Sequence, residues 1–437
     1  MFETIVALAT PPLKSALAIV RVSGDDSFKI VSKIFSKDLS KTKNKEIHFG
    51  YVNDEGKSID QVVLLTYVHP HSFTGEDSVE IICHGSPLIA NQIVSLLIKN
   101  GARIAANGEF SSRAYLNGKI DLVQAEAIND IINATTIEAR DLSMISLKGE
   151  TSKMFKPIKD KIADILSHIE VNIDYPEYED IEEVTKDEII GVCGDIVKEI
   201  DALIVDGERG KLYKEGLKIA IVGKPNVGKS SLLNSLIKDD KAIVTDIAGT
   251  TRDIVEGDFV ISGVPCHLFD TAGLRESDDK IEKIGINKSL NAINNADLVL
   301  FLVDETGVDQ KLYDLVKDKK HIVVTNKADL ISAKEKGNIY ISAKNNDVDE
   351  LINKIKEVMN IGELHIKPSF NNTRQLGLLR NISKMLNEAI NDAKAGQPVD
   401  LVAVSIMSAY NCALDLIGEN NKNDLTDEIF SRFCVGK

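Results

Sequence analysis

Residues 218–238 read KIAIVGKPNVGKSSLLNSLIK, and this stretch decides the fold. The run KIAIV predicts a buried strand, and SSLLNSLIK, with apolar residues three and four apart, predicts a helix. Between them lies Gly223-Lys224-Pro225-Asn226-Val227-Gly228-Lys229-Ser230. A glycine-rich loop between a strand and a helix lets backbone N–H groups turn inward around phosphate oxygens. The helix N-terminus adds its partial positive charge. Lys229 is expected to reach the β- and γ-phosphates and Ser230 to ligate magnesium.

Three further motifs follow in the order such a domain requires. Asp270-Thr271-Ala272-Gly273 closes the apolar run CHLFDT, placing Asp270 to hold the magnesium shell and the Gly273 N–H to sense a γ-phosphate. Asn326-Lys327-Ala328-Asp329 closes HIVVTN. The Asp329 carboxylate can accept two hydrogen bonds from a guanine edge, whereas adenine would leave it partly unpaired, so the site is expected to reject ATP. Ser342-Ala343-Lys344 follows NIYI and can close over the base. The spacing of 40 residues from Ser230 to Asp270 and 56 from Asp270 to Asn326 makes the four short motifs one constellation. The segment Thr245-Asp246-Ile247-Ala248-Gly249-Thr250-Thr251 reads as a switch, with Thr251 completing the magnesium shell when a γ-phosphate is present. The expected nucleotide contacts are these residues together with Val227, Gly228 and Ser231 of the first loop.

Around this centre the pattern changes. Residues 1 to about 118 carry β-type runs (TIVALAT, ALAIVRV, QVVLLTYV, SVEIICHG) and then a helical stretch, SPLIANQIVSLLIKN, which together predict an α+β domain. From Lys119 the period becomes helical through DLVQAEAINDIINATT and KPIKDKIADILSHIEVNI, with an acidic break at DYPEYEDIEEVTKDE. The helical pattern returns after Ile361 in RQLGLLRNISKMLNEAINDA and LVAVSIMSAYNCALDLIG. The expectation is a multidomain α/β and α chain. It comprises an N-terminal domain over 1–118, a helical domain built from 119–213 and 362–437, and, inserted into it over 214–361, a doubly wound, Ras-like P-loop domain with a mostly parallel sheet.

Of the 437 residues, 52 are Lys or Arg and 67 are Asp or Glu, a formal charge of −15, which excludes general binding to a nucleic-acid backbone. Any RNA contact must be local, and one basic run stands out: Lys29, Lys33, Lys37, Lys41, Lys43 and Lys45, opposed only by Asp38. Read by itself it is a solvated surface loop. Five cysteines (Cys83, Cys193, Cys266, Cys412, Cys434) without a CxxC pair suit a reducing cytoplasm. The N-terminus lacks the pattern of a signal peptide, and no unbroken run approaches the ~18 apolar residues of a membrane span. His69 and His71 have no third ligand in view and read as ordinary loop histidines.

The hydrolytic chemistry departs from the Ras pattern. There a glutamine after the DxxG glycine orients the attacking water; here the position is Leu274, which cannot. Asn226 offers an amide oxygen in the phosphate loop. Either it caps the loop, or it helps hold a monovalent cation whose charge replaces an arginine finger.

With GKPNVGKSS, TDIAGTTRD, DTAGLR, NKAD and the terminal FCVGK in view, the chain resembles the tRNA uridine-5-carboxymethylaminomethyl modification GTPases (the MnmE/TrmE family) along its whole length. Val435 stands where isoleucine is commoner in that ending. The resemblance implies a homodimeric, potassium-activated GTPase that binds GTP and Mg2+. Asn226, Thr245, Ile247 and Thr250 would be its K+ ligands, Ser230 and Thr251 its Mg2+ ligands, and Glu282 the group positioning the attacking water. It implies a reduced folate (5-formyl- or methylene-tetrahydrofolate) held by Arg21, Glu80, Lys119 and Lys437, and it gives the Cys434 thiol a place near the modification centre. By position alone Arg21 and Lys119 would be surface charges. The reaction implied adds an aminomethyl-type group to carbon 5 of a wobble uridine of certain tRNAs. A flavin-binding partner would carry the FAD in a heterotetramer, in agreement with the absence of a GxGxxG fingerprint here. The competing reading is a GTP-dependent switch in ribosome assembly without tRNA chemistry. Such a module is expected to present a basic face, which the terminal zone does not visibly carry.

Overall fold

The computed structural model describes residues 3–174, 185–238, 257–270, 292–331, 338–362, 366–420, 429–431, 433–434 and 436. The chain forms two compact units, one from residues 1–129, 147–153 and 411–437 and the other from 130–146 and 154–410.

The first unit is built on a six-stranded sheet of order β3-β4-β5-β2-β1-β6. Its strands are β1 (Ile5–Leu8), β2 (Leu17–Ser23), β3 (Glu46–Asp54), β4 (Lys57–Tyr67), β5 (Ser78–His84) and β6 (Arg103–Ile104). All pairs are antiparallel except β1 with β6. Alternation explains the layering: Ala18, Val20 and Val22 of β2 point into a core with Val79, Ile81, Leu64, Ile93 and Leu97. Two helices, α1 (Ser27–Ser32) and α2 (Pro87–Lys99), contribute Ile30 and Ile93 to that core. The residues between them on β2, including Arg21, take the other face. There α3 (Glu109–Leu116) sets the fully buried Phe110 against Ile5 and Ala7. Further on, α4 (Leu122–Asn133) packs Leu122 and Ala125 on Phe430 and Phe433 of the C-terminal segment.

β3 escapes the sequence reading because its exposed positions, Ile47, Phe49 and Tyr51, are apolar while its inward ones include Glu46, His48 and Gly50. It pairs with β4 along its full length around a turn at Glu55 and Gly56. As an edge strand it leaves Ile47, Phe49 and Tyr51 exposed on one face of the sheet.

In the second unit a six-stranded sheet of order β12-β11-β10-β7-β9-β8 is parallel throughout except for β8. Its strands are β7 (Leu217–Gly223), β8 (Gly257–Ile261), β9 (Val264–Asp270), β10 (Leu298–Val303), β11 (His321–Thr325) and β12 (Ile339–Tyr340). β10, LVLFLV, is buried at every position. Leu298, Leu300 and Leu302 serve one core and Val299, Phe301 and Val303 the other, as a sheet covered on both faces requires. The helices of this unit are α5 (Ile137–Leu147), α6 (Glu150–Asp174), α7 (Lys186–Glu215), α8 (Lys229–Lys238), α9 (Gln310–Asp314), α10 (Asp349–Val358), α11 (Thr373–Lys394) and α12 (Val399–Ile417), of which α5, α6 and α12 also run into the first unit.

α7 opens on an N-cap, with the Thr185 side chain accepting from the Glu188 N–H. It ends at Gly216 (φ 77°), which turns the chain directly into β7. The chain comes back to the same place: the Tyr213 hydroxyl donates to the Gly362 carbonyl at 2.9 Å, and Lys214 joins Asp130 and Asn371. The α/β domain is therefore an insertion whose two ends are tied together. α7 packs along α11, and at Gly207 the Phe370 carbonyl occupies the space a Cβ would need.

One helix bears on the expectation of no membrane span. By length and composition α12 is apolar enough to cross one, with a mean hydropathy of 1.4. Ser405, Ser408 and Asn411 interrupt its apolar residues, so it holds no unbroken apolar run. Its buried Val402, Ile406, Ala409, Ala413 and Leu416 follow helical spacing, as in a helix packed inside a protein.

Candidate nucleotide site and N-terminal site

Three of the predicted motifs, and with them the unpredicted Asp304, stand at the same edge of the inserted sheet. The register pairs Leu302 with Gly223, Val303 with Thr325 and Ile221 with Asp270, so the phosphate loop, Asp304, Asn326 and Asp270 all follow the carboxyl ends of neighbouring parallel strands. Ligands of open α/β sheets bind at that edge.

The loop's conformation follows from its residues. Asn226 (φ 64°) and Gly228 (φ 97°) adopt left-handed geometry, and a Cβ at Gly228 would collide with the Asn326 amide nitrogen. The Lys229 ammonium lies back over the loop, donating to the Gly223 and Lys224 carbonyls at 2.9 and 3.0 Å. Ser230 and Ser231, in the first turn of α8, are exposed, as is Asn226.

Asn326 is buried and joins three motifs. Its Nδ2 donates to the Val227 carbonyl at 2.8 Å, and its Oδ1 accepts from the Ala343 N–H at 3.1 Å. Ser342 donates its hydroxyl to Asp329 Oδ1 at 2.8 Å. That bond, first among the causes, lowers the Asp329 carboxyl pKa, helped by the nearby Lys344 charge. The carboxylate is thus ionised and oriented, as reading a pair of N–H donors requires.

Sequence reasoning missed Asp304. Lys327, in left-handed geometry (φ 61°), pairs with Asp304 at 2.9 Å. Burial pushes the Asp304 carboxyl up, but hydrogen bonds from Lys327 and from the Thr306 hydroxyl and amide outweigh it and hold the pKa at about 2. Lys224 of the phosphate loop reaches the Thr306 carbonyl. Only the acid at the end of β10 signals this link, and its partner is 23 residues away.

Thr245, Asp246, Ile247, Ala248, Gly249, Thr250 and Thr251, with Thr271, Ala272, Gly273, Leu274 and Glu282, lie outside the described residues, as does Lys437.

In the first unit Arg21 and Glu80 are cross-strand partners, and the Arg21 Nε lies 2.9 Å from Glu80 Oε1. Arg21 also donates to the Gly436 carbonyl at 3.1 Å, next to Lys437 in the chain. Its guanidinium lies 5.9 Å from the Phe73 ring and 5.6 Å from that of Phe110. Phe73, exposed at the tip of the 68–77 loop, is a second residue the sequence did not disclose. Lys119 binds the Pro70 carbonyl of the same loop at 2.9 Å and packs over Gly75. Behind it runs a buried network: Arg113 pairs with Glu76 at 3.0 Å and with Glu109 at 2.8 Å, and Ser23 donates to Glu76 at 2.8 Å. Cys434 is exposed, and its carbonyl accepts from the Gly108 N–H.

These features define a P-loop GTPase domain set into a helical domain, with an α+β domain before it. Residues 4–119 match the family model for the GTP-binding protein TrmE N-terminus, and residues 122–434 match that for the MnmE helical domain. The chain belongs to the MnmE family. The tRNA modification GTPase MnmE of Mycoplasmopsis pulmonis is 42% identical over all of this chain and all of its own length. The proteins of the same name from Mycoplasma mycoides subsp. mycoides and Lactococcus lactis subsp. cremoris are 40% and 41% identical over all of this chain and 99% of theirs. Among solved structures, Aquifex aeolicus Era bound to GDP.AlF4- aligns with 38% of this chain and 65% of its own at 29% identity, with a TM-score of 0.28, too loose a likeness to bear on the argument.

Proposed function

We propose that this chain is a GTP hydrolase that takes part in modifying carbon 5 of the wobble uridine of certain tRNAs, activated by potassium and supplied with a one-carbon unit by a reduced folate. The observation that carries the nucleotide half is the convergence of the phosphate loop, Asn326, Asp329 and Ser342 at one sheet edge. The tRNA half rests on the relatives' shared name and their match over the full chain.

In this reading Lys229 leaves its resting carbonyl contacts to meet the β- and γ-phosphates, and the amides at the start of α8 bind phosphate oxygens. Asp329 selects guanine, and Lys327, steadied by Asp304, lies against the base. The residues present fit both cations: Ser230 is an exposed hydroxyl at the head of α8, Asp270 ends the neighbouring strand β9 as the register partner of Ile221, and Asn226 is an exposed amide of the phosphate loop. When bound, Mg2+ and K+ would supply positive charge to the phosphates being separated. Thr245, Ile247, Thr250 and Thr251 would complete the two shells, and Glu282 would orient the water that Leu274 cannot.

Arg21, Glu80 and exposed Phe73 offer a cation, a carboxylate and an aromatic face. That donor set fits a folate, which has an anionic tail and an amide-edged ring. Lys119 and Lys437 would add charge for the tail. The exposed Ile47, Phe49 and Tyr51 of edge strand β3 support self-association into a homodimer. A flavin-binding protein would join that dimer, and five cysteines of which none is in a disulfide support a reducing cytoplasm. GTP turnover measured in equimolar KCl and NaCl tests the reading. It is expected to be at least ~10-fold faster in potassium, with the gap closed in Asn226→Ala, since one placed charge commonly contributes ~1–3 kcal/mol to such a barrier. Equal rates in the two salts would overturn potassium activation.

A further inference from the structure

The lysine run of residues 29–45 plays no part in either site. It holds six Lys against one Asp, a net of +5, so the remaining residues carry −20 of the −15 total. A polyanion is repelled by such a chain everywhere except where cations are concentrated and uncommitted.

The structure places these lysines on one short, well-anchored segment. Lys29 lies in α1, Lys33 follows it, and Lys37, Lys41, Lys43 and Lys45 lie in the connection to β3; all six are exposed. The connection is not a loose tail. Ile34, Phe35 and Leu39 are buried in the core of the first unit. The Leu39 N–H bonds Ser32 Oγ at 2.9 Å, Thr42 N–H bonds the Leu39 carbonyl at 3.0 Å, and Lys45 N–H bonds the Thr66 carbonyl at 2.8 Å. Asn44 accepts from the Val68 N–H. The segment is therefore anchored between its lysines, at Leu39, Thr42, Asn44 and Lys45, and the long lysine stems are free to adapt.

Their charges are largely uncommitted. Lys29 makes an exposed pair with Asp26, and Lys33 reaches the Asn100 carbonyl. Among the described residues Lys37, Lys41, Lys43 and Lys45 make no ion pair. The single acid within the run, Asp38, spends its carboxylate on the amide and hydroxyl of Ser40. On the neighbouring strands Glu46 faces His48, and Asp54 and Glu55 face Lys99. Four ammonium groups that make no ion pair among the described residues, Lys41 lying near enough to Asp38 to feel its charge, complement a phosphodiester backbone, where released counterions drive binding and a flexible lysine stem suffices for contact.

We propose that the rim formed by Lys37, Lys41, Lys43 and Lys45 docks the sugar–phosphate backbone of the tRNA substrate. The proposal rests on the tRNA-modifying reading above and adds to it the surface that receives the RNA.

The test is equilibrium binding of a full-length tRNA transcript to the intact protein across a salt series. The variant is Lys37→Gln/Lys41→Gln/Lys43→Gln; Lys45 is kept because its left-handed backbone (φ 62°) would confound the result. Lys317→Gln/Lys319→Gln/Lys320→Gln, an equal charge change in the second unit, is the control. At about 0.7 per phosphate, losing three contacts makes the slope of log K against log salt shallower by about 2, and weakens binding about a hundred-fold at ~0.1 M salt. GTP turnover is expected to stay at the wild-type rate in both variants. Unchanged slope and affinity in the first variant, or an equal loss in the control, would overturn the proposal. So would intact tRNA binding combined with lost capture of a partner protein, which would assign the rim to an acidic protein surface. A wild-type protein that binds no tRNA at any salt would instead overturn the functional reading beneath it.

Discussion

In the proposed reading Asp329 decides the base. Its carboxylate is oriented by one hydroxyl from Ser342 and kept ionised, which leaves it suited to two N–H donors on one edge. Asp329→Asn replaces an acceptor with a donor. GTP affinity is expected to fall at least ~100-fold while xanthosine triphosphate, whose 2-oxo group accepts a hydrogen bond, gains. Competition binding with the two nucleotides checks this. Glu109 makes a different prediction. Burial pushes its carboxyl up, but Arg103, the Ala106 amide and Arg113 together hold it at about 2, against an ordinary 4.5. A carboxyl lowered by folding adds stability above pH ~4.5 and loses it as pH falls toward 2. Thermal melts over that range should show the loss, and Glu109→Gln should flatten it. Lys229, Asp329 and Asn326 were legible in the sequence because their motifs are contiguous and stand at strand ends. Asp304 and Phe73 were not, because their meaning comes from Lys327, 23 residues on, and Arg21, across the sheet.

Among elements, the apolar runs marked β2, β4, β5, β7, β10 and β11 correctly, since both halves of each pattern are local. β3 and β8 were passed over for a physical reason: each is an edge strand in which polar residues or glycine break the apolar run (Glu46, His48 and Gly50 in β3, Gly257 and Asp258 in β8), so its identity comes from the partner it pairs with. α6 shows a similar override. Pro157 lies inside it, yet the helix runs from Glu150 to Asp174 because Phe155, Ile158, Ile162, Ile165 and Ile169 bury one continuous face. The contact of α7 with the chain before α11 depends on Gly207. Gly207→Ala would drive a methyl group into the Phe370 carbonyl oxygen and is expected to destabilise by about 2 kcal/mol or more. Gly377→Ala, in α11 with nothing within 4 Å of the added carbon, should be neutral or stabilise by up to ~1 kcal/mol. The two melting temperatures should move in opposite directions or diverge by several degrees.

At the scale of the whole molecule, the insertion was legible because the sequence changes period twice and returns to its first pattern. The tie that makes it an insertion in space, Tyr213 to Gly362 and Lys214 to Asn371, pairs residues 149 and 157 apart and is invisible in any local window. In the proposed reading the GTP-hydrolysing insertion serves chemistry on tRNA. Mass spectrometry of nucleosides from total tRNA of a strain lacking this gene tests it most directly, with complementation by the wild-type gene and by Asp329→Asn. The account predicts that the 5-substituted wobble uridine disappears on deletion, returns with the wild-type gene and stays low with the variant. Unchanged wobble uridines in the deletion strain would contradict it.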